Sequence, residues 1–314
     1  MRIVTFLPSA LLTALVLTGC ATTPQGLDAI RDQASREAVS TSRSGNTLIR
    51  EAENLAGDAN AQETYRFAPV LTAEASESLE KARTAQSKGR ADDQVRVSAL
   101  ASVATYRKAM DHTLIARETL APALAHLEVL NGIRCETYYP SSYADVTAQL
   151  DDIIRTLEAT GAPASTAQSQ RQLLLDMHEL EVQTIGFVNL QQIRDRMQAM
   201  KDANADHLIP RSYATAEQAL ASAEDLIRST PRAEAEINLQ REAAKTATDH
   251  AQIILAMTNE ILDSDAGNAE ALALRTERWL YNIAIALKYP DIRHLPMDEQ
   301  SRLLSEAIEE VIQR

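Results

Sequence analysis

Three segments of this chain align without a gap, and each is led by a proline: Pro69-Val-Leu-Thr72, Pro140-Ser-Ser-Tyr143 and Pro210-Arg-Ser-Tyr213. The prolines lie 71 and 70 residues apart. Each opens an apolar stripe at three-then-four spacing: Thr72, Ala75, Leu79, Ala82; then Tyr143, Val146, Leu150, Ile153, Leu157; then Tyr213, Ala216, Leu220, Ala223, Ile227. That period lays one apolar seam along a helix. Proline is tolerated in a helix's first turn, where its missing N–H would be unpaired anyway. Stop signals follow at matching offsets, Gly89 at 20 residues and Gly161 and Pro231 at 21. Each repeat therefore opens with a helix of ~20 residues, roughly 30 Å long at 1.5 Å per residue.

A second helix is expected in each repeat, near 91–130, 164–203 and 232–262. In the first, Ala99, Val103, Tyr106, Met110 and Leu114 form its seam, and Pro122 should bend or end it. Gly186 should weaken the second. Polar or Gly-containing turns at Gly57–Asn60, Asn131-Gly132 and Asp202–Asp206 join the repeats. Glu77–Lys81, Asp151–Arg155 and Glu224–Arg228, acid four residues before base, mark the wet face. Residues 27–56 read as a helical stretch interrupted near Ser42 to Gly45, and further helices are expected near 268–288 and 297–313.

Aromatic residues are scarce, one Trp, three Phe and eight Tyr, while Ala and Leu are abundant, so helix formers dominate strand formers. The fold class is all-α: an elongated antiparallel helical bundle or a stack of helical hairpins, in about three ~70-residue repeats. The elongated form is favoured. The expected layout is a signal at 1–19, a tether and helix at 20–60, repeats over 61–263 (about 65–131, 136–203 and 206–263), and a C-terminal helical cap at 264–314. Proline followed by an Ala/Leu-rich helix, a short break and a second Ala-rich helix resembles a domain of unknown function found in bacterial envelope lipoproteins. In some relatives that domain precedes a peptidoglycan-binding module like that of outer-membrane protein A. The resemblance covers residues ~65–260 and brings no catalytic residues.

The chain begins Met1-Arg2, an apolar run from Ile3 to Leu17, then Leu17-Thr18-Gly19-Cys20. One positive charge, a short greasy stretch and small residues before a cut are the parts of a secretory signal, and the run is shorter than a membrane span. Leu17 to Cys20 resembles the bacterial lipoprotein lipobox. The resemblance implies cleavage before Cys20, a thioether-linked diacylglycerol on its sulfur and a fatty acid on the new amino group. Two or three acyl chains hold a protein to a bilayer firmly where one does not. Ala21 in place of an Asp resembles the pattern of lipoproteins sent to the outer membrane, which implies an address on its periplasmic face.

Cleavage would remove only one charged residue, Arg2, leaving 30 basic against 44 acidic side chains, a net −14. Such a chain repels phosphate backbones, so nucleic acid is not an expected partner. With Cys20 acylated, Cys135 has no intramolecular partner and reads as a small apolar residue at a repeat junction.

None of the six histidines is three or four residues from another, so no helix presents a two-His metal face and no metal site is expected. His112, His178 and His250 read as polar helix positions. Asp263-Ser-Asp265-Ala-Gly267-Asn268 places its Gly one position early for a calcium loop and reads as a helix cap. No phosphate-binding glycine loop and no nucleophile elbow occurs. No catalytic residue and no cofactor is expected. Tyr138, Tyr139 and Tyr143 are the candidate ligand patch. Trp279 and Tyr281, with Leu280, Ile283 and Leu287, should dock the last helix, Trp279 being a possible partner contact.

The expected function is a lipid-anchored, non-enzymatic scaffold that holds other envelope proteins or copies of itself. The alternative is a periplasmic module that binds a glycan, lipid or other small ligand between hairpins.

Overall fold

The computed structural model describes residues 24–313. Among these the chain is all-α, with fourteen α-helices, one 3₁₀ turn and no strand. Leu17, Thr18, Gly19 and Cys20 lie outside the described residues. The chain divides into two compact units between Thr184 and Ile185.

In the first unit, α1 (Leu27–Ser40) and α2 (Gly45–Ala61) precede the repeats. The first repeat comprises α3 (Thr64–Phe67), α4 (Pro69–Ser87), α5 (Asp92–Thr119) and α6 (Ala121–Gly132). The second begins with α7 (Cys135–Tyr138) and α8 (Pro140–Thr160), then a 3₁₀ turn at Pro163–Thr166 and α9 (Ala167–Asp202), in which the division into units falls. The second unit continues with α10 (Ala205–Leu208), α11 (Pro210–Ser229), α12 (Glu234–Leu262), α13 (Ala266–Ala286) and α14 (Met297–Ile312).

Each aligned proline is the first residue of its helix, and the repetition reaches further back than the prolines. The preceding helix stops at a non-glycine residue in the left-handed region: Glu63 at φ 53°, Arg134 at 60°, Asn204 at 57°. A one-turn helix follows, opened by a fully buried small residue, Thr64, Cys135 or Ala205. Ala68, Tyr139 and Ile209 then take φ near −135° and ψ near 60° (−141° and 61°, −134° and 63°, −132° and 53°). These residues are extended because the proline ring that follows excludes helical backbone before it. Their N–H groups donate to the carbonyls of Thr64, Cys135 and Ala205 at 2.8, 2.7 and 2.8 Å. Cys135 is thus the second copy of a buried small position.

The seams face the cores. Ala75, Leu79, Ala82, Val146, Leu150, Ile153, Leu157, Ala216, Ala223 and Ile227 are all buried, and Thr72, Tyr143 and Leu220 are half-buried. In the second helix of the first repeat Leu100, Ala101, Val103 and Thr105 are buried, and beside them one line of positions runs through Val95, Ala99, Ser102, Tyr106, Ala109, Thr113, Ala116, Leu120, Ala123 and Leu130, all buried, with Leu127 half-buried. That is an unbroken four-then-three alternation, the coiled-coil period, and it continues through the break that Pro122 makes between α5 and α6. Small residues on this strip let α4 and α5 approach until the Ser102 hydroxyl donates to the Ala75 carbonyl at 2.8 Å. Gly45 serves the same end on α2: a Cβ there would lie 2.6 Å from Val95 Cγ1.

Several local expectations are corrected. Leu114 is exposed at 63 %: two successive steps of four drift off the 3.5-residue period, and Thr113 takes the place. Residues 57–60 lie inside α2, where Leu55, Ala56 and Ala59 pack well enough to outweigh Gly57. Of the three acid–base pairs only Glu77–Lys81 forms, at 2.7 Å. Arg155 and Arg228 pair instead with Asp152 and Asp225, one residue closer, and Glu224 accepts from Arg194 of α9. At the C-terminal end Leu280, Ala284 and Leu287 pack against Leu303 and Leu304, while Trp279 and Ile283 stay on the outer face at 47 % and 42 % exposure.

Candidate functional site

The side chains with chemical potential concentrate in the first unit, around the joint where α8 ends against the start of α4. Glu158, in the last turn of α8, is 2 % exposed and turned inward. Its Oε1 accepts from the Leu71 N–H at 2.6 Å and its Oε2 from the Val70 N–H at 3.1 Å. Pro69 and its neighbours open α4 without a capping side chain of their own, so the carboxylate supplies both the hydrogen bonds and the negative charge a helix start favours. Burial nevertheless pushes the Glu158 carboxyl above its ordinary value, with the Leu71 and Val70 donors pulling the other way. At the start of α2, which Ser44 caps, Asp92 of α5 also accepts from the Gly45 N–H at 3.0 Å.

A second cluster lies between α6, α7 and α9. His126 Nε2 is 2.7 Å from Oε2 of the fully buried Glu181. One turn on, Thr184 Oγ1 is 3.1 Å from Cys135 Sγ. Burial raises the thiol's pKa and the Thr184 hydrogen bond opposes that, so the sulfur is a poor nucleophile at neutral pH. Thr184 also donates to the Leu180 carbonyl at 2.8 Å. These groups tie the junction helix to α9.

The sequence-derived candidates do not converge on one pocket. The Tyr143 hydroxyl donates to Asn131 Oδ1 at 2.6 Å, which makes it a link between repeats. Tyr139 packs against the core, and Tyr138 is 40 % exposed. Trp279 is on the surface with the Arg275 guanidinium 5.7 Å from its ring centre. His178 and His250 are exposed, and His112 packs its Cε1 toward Gly161. Asp265 Oδ1 accepts from the Asn268 N–H at 2.9 Å, the cap expected of that loop.

A cleft of about 410 Å³ opens beside the first junction, lined among others by Tyr65, Arg66, Phe67, Leu127, Ile154 and Arg155. Phe67 forms its buried wall, with the Arg66 and Arg117 guanidinium carbons 5.6 and 5.0 Å from the ring centre. The pattern reading missed this cleft and Glu158. Extending the proline alignment six residues upstream would have shown the small residue five before, and the large apolar one two before, each proline. Glu158 has no counterpart to align, since Ser87 and Arg228 stand at the matching positions.

No protein-family model, curated protein or solved structure matches this chain.

Proposed function

We propose that this chain is an outer-membrane lipoprotein, held by acyl chains on Cys20, whose periplasmic helical repeats form a non-enzymatic scaffold for other envelope proteins. The observation that carries the reading is how the chemically capable groups are used. Glu158 caps α4, Glu181 holds His126 and Tyr143 bonds Asn131, each across two repeats, while Thr184 holds Cys135 within the second, so all of them spend bonding capacity on the packing of helices. The apolar residues left outside, among them Leu114, Leu175, Leu239, Ile253 and Trp279, give partners something to bury. The resemblance to the lipobox and to the helical domain of envelope lipoproteins supports the address. In-cell crosslinking followed by mass identification tests the role: recovery of defined envelope proteins, lost when Cys20→Ala leaves the precursor uncut and unlabelled by a fatty-acid analogue, is the expected result. A chain that crosslinks to nothing would end it.

The cleft beside Phe67 supports a second reading, a module for a small amphiphile. Its size falls in the range of ligand pockets, and Arg66 and Arg155 at an apolar wall suit an anionic head on an apolar body. A rise in melting temperature with lyso-phosphatidylglycerol, absent in Arg155→Glu, tests it.

A further inference from the structure

We infer that the side of the first unit carrying the α8–α9 turn, residues 160–166, rests on the phospholipid headgroups of the membrane that holds the acyl chains. The inference rests on the anchor at Cys20 proposed above, and adds which face the anchor presents.

The chain is fixed to the body almost at once after that cysteine. Pro24 is buried. The Gln25 N–H donates to the Ala159 carbonyl at 3.2 Å, and the Lys108 ammonium donates to the Gln25 carbonyl. Gly26, at φ 85°, lies so near α5 that a Cβ would sit 3.0 Å from Lys108 Nζ. Leu27 is then buried among Ala68, Leu71 and Ala109. Gln25 is five residues on from Cys20, and a chain of that length spans at most ~18 Å in any conformation. A long linker would let the body tumble above the bilayer, whereas this one keeps the Ala159 side against it.

Charge selects the same face. From Ala159 to Gln170 the sequence carries no charged side chain, and the carboxylate just before it, Glu158, is turned into the body. Elsewhere the surface bears the acidic excess, which an anionic leaflet repels. The turn Gly161-Ala-Pro-Ala-Ser165 is exposed, so it can approach headgroups without dragging a carboxylate into them. The far end of α4 lies well away from the anchored segment, which makes it the site for comparison. Leu71 touches Leu27, and Lys88 follows seventeen residues later, about 25 Å along the helix at 1.5 Å per residue.

The test uses the full chain purified from membranes and reconstituted in phosphatidylethanolamine–phosphatidylglycerol vesicles doped with headgroup-nitroxide lipid. In a Cys135→Ala background, a fluorophore is placed at Ala164→Cys or at Lys88→Cys. The label at position 164 should lose most of its emission and that at position 88 should keep it. Inserting twenty Gly/Ser residues after Ala21 should erase the contrast. Equal emission from both labels in the acylated protein, or stronger loss at position 88, overturns the placement. The mass of the amino-terminal peptide, read on the same sample, isolates the anchor: an unmodified Cys20 overturns the tether itself, whatever the quenching pattern.

Discussion

Glu158 and Leu71, 87 residues apart in the chain, share a hydrogen bond of 2.6 Å. The acceptor belongs to the last turn of α8 and the donor to the first turn of α4, so the opening helix of one repeat ends by capping that of the repeat before it. Neither residue belongs to the aligned apolar seams, yet the bond joins two copies of the repeat. It couples α4, which has no capping side chain of its own, to the correct placement of the second hairpin.

Removing that carboxylate should cost more than a surface cap does. Glu158→Ala leaves the Val70 and Leu71 N–H groups unpaired in a buried site, a loss of about 1–3 kcal/mol. Glu158→Gln, which keeps one acceptor, should lose less. The pH dependence has a definite sign. Burial raises the folded-state value above the ordinary 4.5, so the folded chain holds this proton more tightly than the unfolded one. The stability it contributes is complete below that ordinary value and is lost as pH rises through the raised one. Urea midpoints of the parent protein should therefore fall across that window relative to those of Glu158→Gln, and a constant difference would remove the proposed role of its ionisation.

The left-handed residue before each junction predicts a stabilising change. A residue with a Cβ pays roughly 1–2 kcal/mol in that region, and glycine avoids the penalty at some entropic cost. Arg134 is exposed, so Arg134→Gly should gain up to ~1 kcal/mol by denaturant unfolding. Asn204→Gly should be near neutral, because asparagine tolerates the conformation. Arg134→Val should be destabilising. A loss of stability in Arg134→Gly would mean that its side chain matters more than its backbone.

These cases show which parts of the fold could be read from the residues. The helices from Pro69, Pro140 and Pro210 were legible because proline placement, seam period and stop residues agree at each site. The second-helix seam was legible as far as Met110, which packs beside Ala59 and Tyr106, and was lost at Leu114, because alanines and buried hydroxyl residues such as Thr113 blur an apolar period. The one-turn helices were hidden for a different reason. Glu63 and Arg134 have no intrinsic preference for positive φ, and adopt it because the surrounding packing requires it. The Glu158 cap and the Phe67 cleft depend on contacts between segments 87 or more residues apart in one case and on four separate helices in the other. No local pattern encodes either.

Cys135 should behave as a packing residue. Thr64 and Ala205 occupy its position in the other repeats, all three fully buried. Cys135→Ala should fold normally at a cost of about 1–2 kcal/mol. Native protein should leave this thiol unmodified by a disulfide reagent, and denatured protein should react. Rapid modification of the native state would contradict the buried junction.

His112 provides the last prediction. Its ring is half-buried beside Gly161, and Nδ1 has no hydrogen-bond partner among the described residues. Burial holds its pKa below the ordinary 6.5, the Lys108 ammonium adds to that, and Asp111 acts in the opposite direction. The folded state thus binds this proton less readily than the unfolded chain. Its contribution to stability is complete above the ordinary value and is lost as pH falls through the lowered one. On mild acidification the melting temperature of the parent should therefore fall relative to that of His112→Asn, which cannot take up the charge, while the two stay close at neutral pH. Because His112 packs at the end of α8, next to the joint that Glu158 closes, the loosening should reach the tether first. Hydrogen exchange at Gln25 and Leu71 should accelerate before that of α11 and α12. Uniform acceleration across the whole chain would assign the acid sensitivity to other groups.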